Sequence, residues 1–101
     1  MENSIGIDLI KEERDKQLLK HGFDPKHDLQ YTNRELLKAA YVYLLHVTFP
    51  NYSRWDEEWP WDENWLKDDG DIENLKKVAA LVAAEIDRRI EYENTIKKGI
   101  V

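Results

Sequence analysis

Arg14 and Gln17 stand where an otherwise apolar helical stripe turns polar. Ile7, Ile10, Arg14, Gln17 and His21 step by 3, 4, 3 and 4 residues, a spacing that places all five on one side of a helix. A guanidinium on an inward face must be paired or must bind an anion, because an unpartnered charge away from water is costly. Two partners suit it. One is an internal carboxylate, Asp28 or Glu35, which would pin the following connection to the core. The other is an anionic ligand met by Arg14 and Gln17 together. His27-Asp28 is a second pair with chemical capacity, but the three histidines (His21, His27, His46) never fall four residues apart on one helix. No metal site is expected from them. His27 is read instead as a backbone cap or as a donor to a phosphate or ribose.

Material for covalent catalysis is thin. The chain has no cysteine, Ser4 and Ser53 lie outside any strand–turn–helix elbow, and no glycine-rich phosphate loop is present. Magnesium-dependent helical pyrophosphohydrolases carry ExxE on one helix and ExxD on a neighbour. Here Glu35 is followed three residues later by Lys38, and Glu85 by Arg88, so the second carboxylate is missing twice. No catalytic residue and no cofactor is assigned on this basis.

Aromatic residues offer more. All four tryptophans fall within the eleven residues from Trp55 to Trp65, in an acidic stretch interrupted by Pro60. Such a stretch cannot form one helical stripe. It either folds back as a lid, with Trp59 or Trp61 against Tyr43 and Val82, or walls a pocket whose rings stack on a purine. The two roles are compatible. Tyr31, Tyr41, Tyr43 and Lys67 would complete such a site.

Three helices must position these groups. The first covers residues 4–21, capped by Ser4, carrying Ile7, Leu9, Ile10 and Leu18, and stopped at Gly22. The second runs from Asn33 to Val47 behind a Thr32–Glu35 capping box, with Leu36, Ala40, Tyr43, Leu44 and Val47 inward and Pro50 barring its extension. The third is capped by Asp71 and ends at Gly99, its core face being Ile72, Leu75, Val78, Ala79, Val82, Ile86 and Ile90. The expected fold is all-α: a three-helix small domain with a long tryptophan-rich loop between helices two and three, one domain over residues 1–101.

Composition bounds the partners. A net charge of −6 in 101 residues argues against long nucleic acid, which requires a basic surface. No apolar run reaches membrane-spanning length and no signal peptide is visible, so a membrane partner is not expected and the default location is the cytoplasm. A chain this short often completes its core by self-association, which makes a homo-oligomer the expectation.

Read in order, Glu13-Arg14-x-x-Gln17, His21-Gly22-Phe23, His27-Asp28, Glu35-Leu36, Ala39-Ala40, Tyr43, Trp59-Pro60-Trp61, Trp65-x-Lys67 and Leu75-x-Lys77-x-Ala79-Ala80-Leu81-x-Ala83-Ala84-Glu85-Ile86 resemble a family of small phage and prophage proteins. Its pattern is ERxxQ…HDD…GEL…AAxxY…WPW…W-K…ALIxAEIER. Leu29 replaces the second Asp of HDD, and Asn33-Arg34 replace the Gly before Glu35. The resemblance implies a phage accessory protein, similar in general design to anti-defence sponges that sequester nucleotide signals. The functional expectation is thus non-enzymatic binding of a nucleotide-derived small molecule. Its residues would be Arg14, Gln17, His27, Asp28, Glu35, Tyr43, Trp59, Trp61, Trp65 and Lys67. Two alternatives stand beside it. One is an inhibitor of a host factor acting through an acidic patch of Asp56, Glu57, Glu58, Asp62, Glu63, Asp68 and Asp69. The other is an enzyme resembling nucleotide pyrophosphohydrolases.

Overall fold

A computed structural model describes residues 4–99. Four helices follow one another: α1 (Ile5–Leu19), α2 (Pro25–Asp28), α3 (Glu35–Thr48) and α4 (Asp71–Gly99), with a 3₁₀ turn at Glu63–Trp65. Among the described residues there is no strand, and the chain is all-α as its periodicity predicts. The single-turn α2 is the addition.

Local chemistry accounts for the boundaries. Ser4 Oγ accepts the Ile7 N–H at 3.4 Å and opens α1. The chain leaves α1 through Gly22 at φ 68°, a left-handed conformation that glycine adopts without a Cβ penalty. Asp24 then caps α2 through the His27 N–H at 2.8 Å, with Pro25 at the first helical position. At α3 the expected Thr32–Glu35 capping box does not form. The Glu35 carboxylate instead accepts the Asn33 N–H at 2.6 Å, Arg34 takes the cap position at φ 59°, and the helix starts two residues later than predicted. At α4, Asp71 is the first helical residue rather than the cap. The Gly70 carbonyl accepts the Asn74 N–H at 2.8 Å.

All three other helices pack on α4, whereas α1 and α3 make no close backbone approach to each other. The core between α3 and α4 consists of Leu36, Ala39, Ala40, Tyr43, Leu81 and Ala84, with Tyr31, Trp59, Trp61, Leu66 and Val78 packed around it. Its alanines let the two helices approach closely. Two expected core faces are corrected. On α1 the buried residues are Glu13, Arg14 and Gln17, while Ile7 is exposed. On α4, Ile72, Leu75, Val82, Ile86 and Ile90 are exposed, and Val82 does not seat a tryptophan. Leu44 of α3 is exposed as well. The physical reason is that α4 turns its polar anchors and small residues inward. Asn74 Nδ2 donates to Asp68 at 2.9 Å and holds the end of the tryptophan loop, and Glu85 gathers two arginines.

Arg14 also finds an unexpected partner. Its Nη2 lies 3.0 Å from Asp87 Oδ2, while Nη1 donates to Gln17 Oε1 at 3.1 Å and to the Phe23 carbonyl at 3.3 Å. The carboxylate that neutralises it is therefore Asp87 of α4, not Asp28 or Glu35. Clamped this way, α1 and the turn after it are fixed to α4.

Glu85 is buried and bonds Arg88 at 2.8 and 2.9 Å and Arg89 at 2.6 Å. The Arg88 guanidinium holds its carboxyl below the ordinary 4.5 against the opposing effect of burial, and Arg89 adds to the shift. Because the folded carboxyl is the more acidic, the stabilisation is complete above pH 4.5 and is lost as pH falls through the folded-state value. Replacing Glu85 with Gln should cost about 3 kcal/mol in urea unfolding at pH 7, since half-buried Arg88 is left uncompensated. The difference between variant and native protein should narrow at low pH.

Candidate functional site

The gap between α1 and α3 is closed on its open side by the segments before and after α3. Seven rings run through it in one unbroken chain. His21 stacks on Phe23 (centroids 5.4 Å apart), Phe23 on His27 (5.3 Å), and His27 meets the edge of Tyr31 at 5.8 Å. Tyr31 lies 5.2 Å from Trp61, Trp61 stands edge-on to Trp59 at 5.5 Å, and Trp59 edge-on to Tyr43 at 5.6 Å. All seven line a cavity of about 730 Å³. That volume falls inside the range typical of small-molecule sites.

The tryptophan loop reaches the cavity because it runs back along α3 and is fastened at intervals. Trp55 stacks on His46 with centroids 3.9 Å apart, near the C-terminal end of α3. Trp59 reaches Tyr43 one turn earlier, and its indole donates to the Asp62 carbonyl at 2.9 Å. Trp61 reaches Tyr31, just before α3. The chain then turns through the 3₁₀ segment and returns. The Lys67 N–H donates to Tyr43 Oη at 3.3 Å, and Asp68 meets His46 Nε2 at 2.8 Å. Lys77 of α4 ties the end down, donating to Asp69 at 2.6 Å and to the Lys67 carbonyl at 2.9 Å. Trp59 and Trp61 thus serve as lid and as wall at once.

Polar groups face this cavity in two sets. Glu13 and Asp28 are buried carboxylates, and Gln17 lies beside them. Glu13 has only Lys16, at 3.9 Å, as an ionic neighbour and accepts no hydrogen bond among the described residues. Asp28 Oδ1 lies 2.8 Å from His27 Nδ1, while its buried Oδ2 has no partner among the described residues. Burial pushes the Asp28 carboxyl up, opposed by His27 and Arg14. Buried Trp61 Nε1 is likewise an unused donor. The second set is cationic: Lys16, Lys67 and Lys77. Burial also raises the phenols of Tyr31 and Tyr43, which stay protonated as donors.

Of the ten residues expected from the sequence, eight line the cavity: Gln17, His27, Asp28, Tyr43, Trp59, Trp61, Trp65 and Lys67. Trp65 is 68% exposed and stands at its edge. Arg14 and Glu35 are outside the lining. Arg14 is engaged by Asp87 behind Gln17, and the Glu35 carboxylate is engaged by the Asn33 N–H. Tyr41 is exposed on α3 and takes no part. Sequence reasoning missed Glu13, Lys16, Phe23 and Lys77. The available signal for Glu13 was its four-residue spacing from Gln17, masked by drawing the inward stripe through Ile7 and Ile10.

Among the described residues, no three His, Asp or Glu side chains converge as metal ligands. Glu85 is occupied by Arg88 and Arg89, so the arginine that replaces the second carboxylate of ExxD is itself the ion-pair partner. The acidic loop divides. Asp68 and Asp69 are tied to His46, Asn74 and Lys77 though still exposed, whereas Asp56, Glu58, Asp62 and Glu63 make no such tie to a helix.

Since Arg14 acts on the scaffold, Arg14→Ala should lower stability by about 2–3 kcal/mol. Asp87→Asn should remove much of the same energy, and the double variant should lose less than the sum of the two. Urea unfolding of the four proteins measures this coupling. No protein-family model, curated protein or solved structure was found to match the chain.

Proposed function

We propose that the chain binds a nucleotide-derived small molecule in this cavity and sequesters it without transforming it. The observation that carries the reading is the run of seven rings that includes His27, beside Asp28, whose buried Oδ2 has no partner among the described residues. Flat rings in edge and stacked contact offer faces to a base, each stacked base contributing about 1–3 kcal/mol. A buried carboxylate needs a donor, and the amino and ring N–H groups of a base supply one. Lys67, whose ammonium has no ion pair among the described residues, and Lys16 are the groups suited to phosphate oxygens. Sequestration as a phage accessory, in the manner of a sponge, is the role that the resemblance of Glu13-Arg14-x-x-Gln17 through Glu85-Ile86 adds to this chemistry.

A melting-temperature screen against cyclic dinucleotides, cyclic ADP-ribose isomers and nucleoside triphosphates tests the reading. A true ligand at a hundred times its Kd stabilises the native state by about 2.7 kcal/mol. Trp61→Leu and Lys67→Ala should remove the shift, and Arg14→Ala is unsuitable as a control because it weakens the fold. The ligand should be recovered chemically unchanged after incubation with magnesium. Release of phosphate or pyrophosphate would instead favour an enzyme. If no compound moves the melting point, but neutralising Asp62 and Glu63 abolishes binding to a host protein, the acidic surface becomes the functional one.

A further inference from the structure

Helix α4 has two opposite faces, and only one of them is covered. Asn74, Leu81, Ala84 and Glu85 are buried against the rest of the chain. On the other side Ile72, Leu75, Ala79, Val82 and Ile86 step by 3, 4, 3 and 4 residues, and Ile90 continues the stripe. That spacing is the seam of a coiled coil, the register in which one helix presents a continuous apolar edge to another. Ile72 is 67% exposed, Val82 40%, Ile86 55% and Ile90 52%. The buried hydrophobic residues among those described, by contrast, are few, and Ala39, Ala40, Ala80 and Ala84 make up half of them. A core of this size leaves the fold in need of further apolar burial, and a second copy is the one partner present whenever the chain is made.

We propose that two copies associate along this stripe in antiparallel, two-fold fashion. Charge placement favours that occupant and that orientation. Asp71 and Arg89 flank the same edge of the stripe, eighteen residues or about five helical turns apart. A two-fold axis near Ala79–Val82 sets the same edge of both helices side by side and runs them in opposite directions. Asp71 of each copy then meets Arg89 of the other, at both ends of the contact. The small side chain of Ala79 lies at the crossing, where the backbones come closest. Asp71 is exposed, and Arg89 donates through Nε to Glu85 at 2.6 Å on its own helix, leaving the rest of its guanidinium to meet a carboxylate. The cavity opens on the opposite side of α4, where Lys77, Leu81 and Ala84 line it, so dimerisation leaves it accessible.

Light scattering after size exclusion should give twice the 12.1 kDa chain mass at high micromolar concentration. Ile86→Glu should yield a monomer. Asp71→Arg and Arg89→Asp should each weaken the dimer and together restore it, a rescue that general destabilisation would not produce. The chain has no cysteine, so single introduced thiols report the orientation. Ala79→Cys should cross-link two copies on oxidation, whereas Ile72→Cys, placed at opposite ends, should not. A native chain that stays monomeric, or Ile72→Cys cross-linking as readily as Ala79→Cys, overturns the proposal.

Discussion

The ion pair between Arg14 and Asp87 sets the geometry on which the site depends. One guanidinium holds Asp87 of α4, Gln17 of its own helix and the Phe23 carbonyl of the turn beyond. These bonds seat α1 against α4 through a polar face. Because α3 packs on α4 independently, the two flanking helices stay apart and a gap is left between them. A hydrophobic contact could not have fixed that spacing as well, since it is non-directional, whereas a planar guanidinium fork specifies where each acceptor must lie.

The gap is lined rather than filled. Rings from the α1–α2 turn, from α2 and the turn that follows it, and from the long loop meet in sequence across it, each in a stacked, tilted or edge contact. Filling it with aliphatic side chains would have given a larger core and no cavity. The cost is visible in the polar atoms left without partners, Asp28 Oδ2 and Trp61 Nε1, which a packed core would not retain. Anchors at His46, Asn74 and Lys77 keep the loop in place, so the rings are presented by a scaffold tied at both ends.

Helix α4 reconciles a small interior with an apolar composition. It carries enough aliphatic residues for a full core, yet apart from Leu81 and Val78 they face outward, and alanines and polar anchors face inward. Small inward residues allow α3 to approach closely, and the polar anchors Asn74, Glu85 and Asp87 place the loop, the helix end and α1 around it.

The residue pattern by itself determined the helical class, the Ser4 and Gly22 boundaries, and eight of the residues that line the cavity. Caps and glycine turns are local, and aromatic or ionic side chains in a small helical chain have few places to go. The start of α3 was missed because Glu35 bonded back to Asn33 instead of leaving the cap to Thr32. Only tertiary structure decided which face of α4 is buried, that Asp87 partners Arg14 across 73 positions, and that Glu13 faces the cavity. Periodicity shows that a helix has two faces. Which of them turns inward depends on long-range ion pairs and helix spacing, and those follow from where the rest of the chain packs.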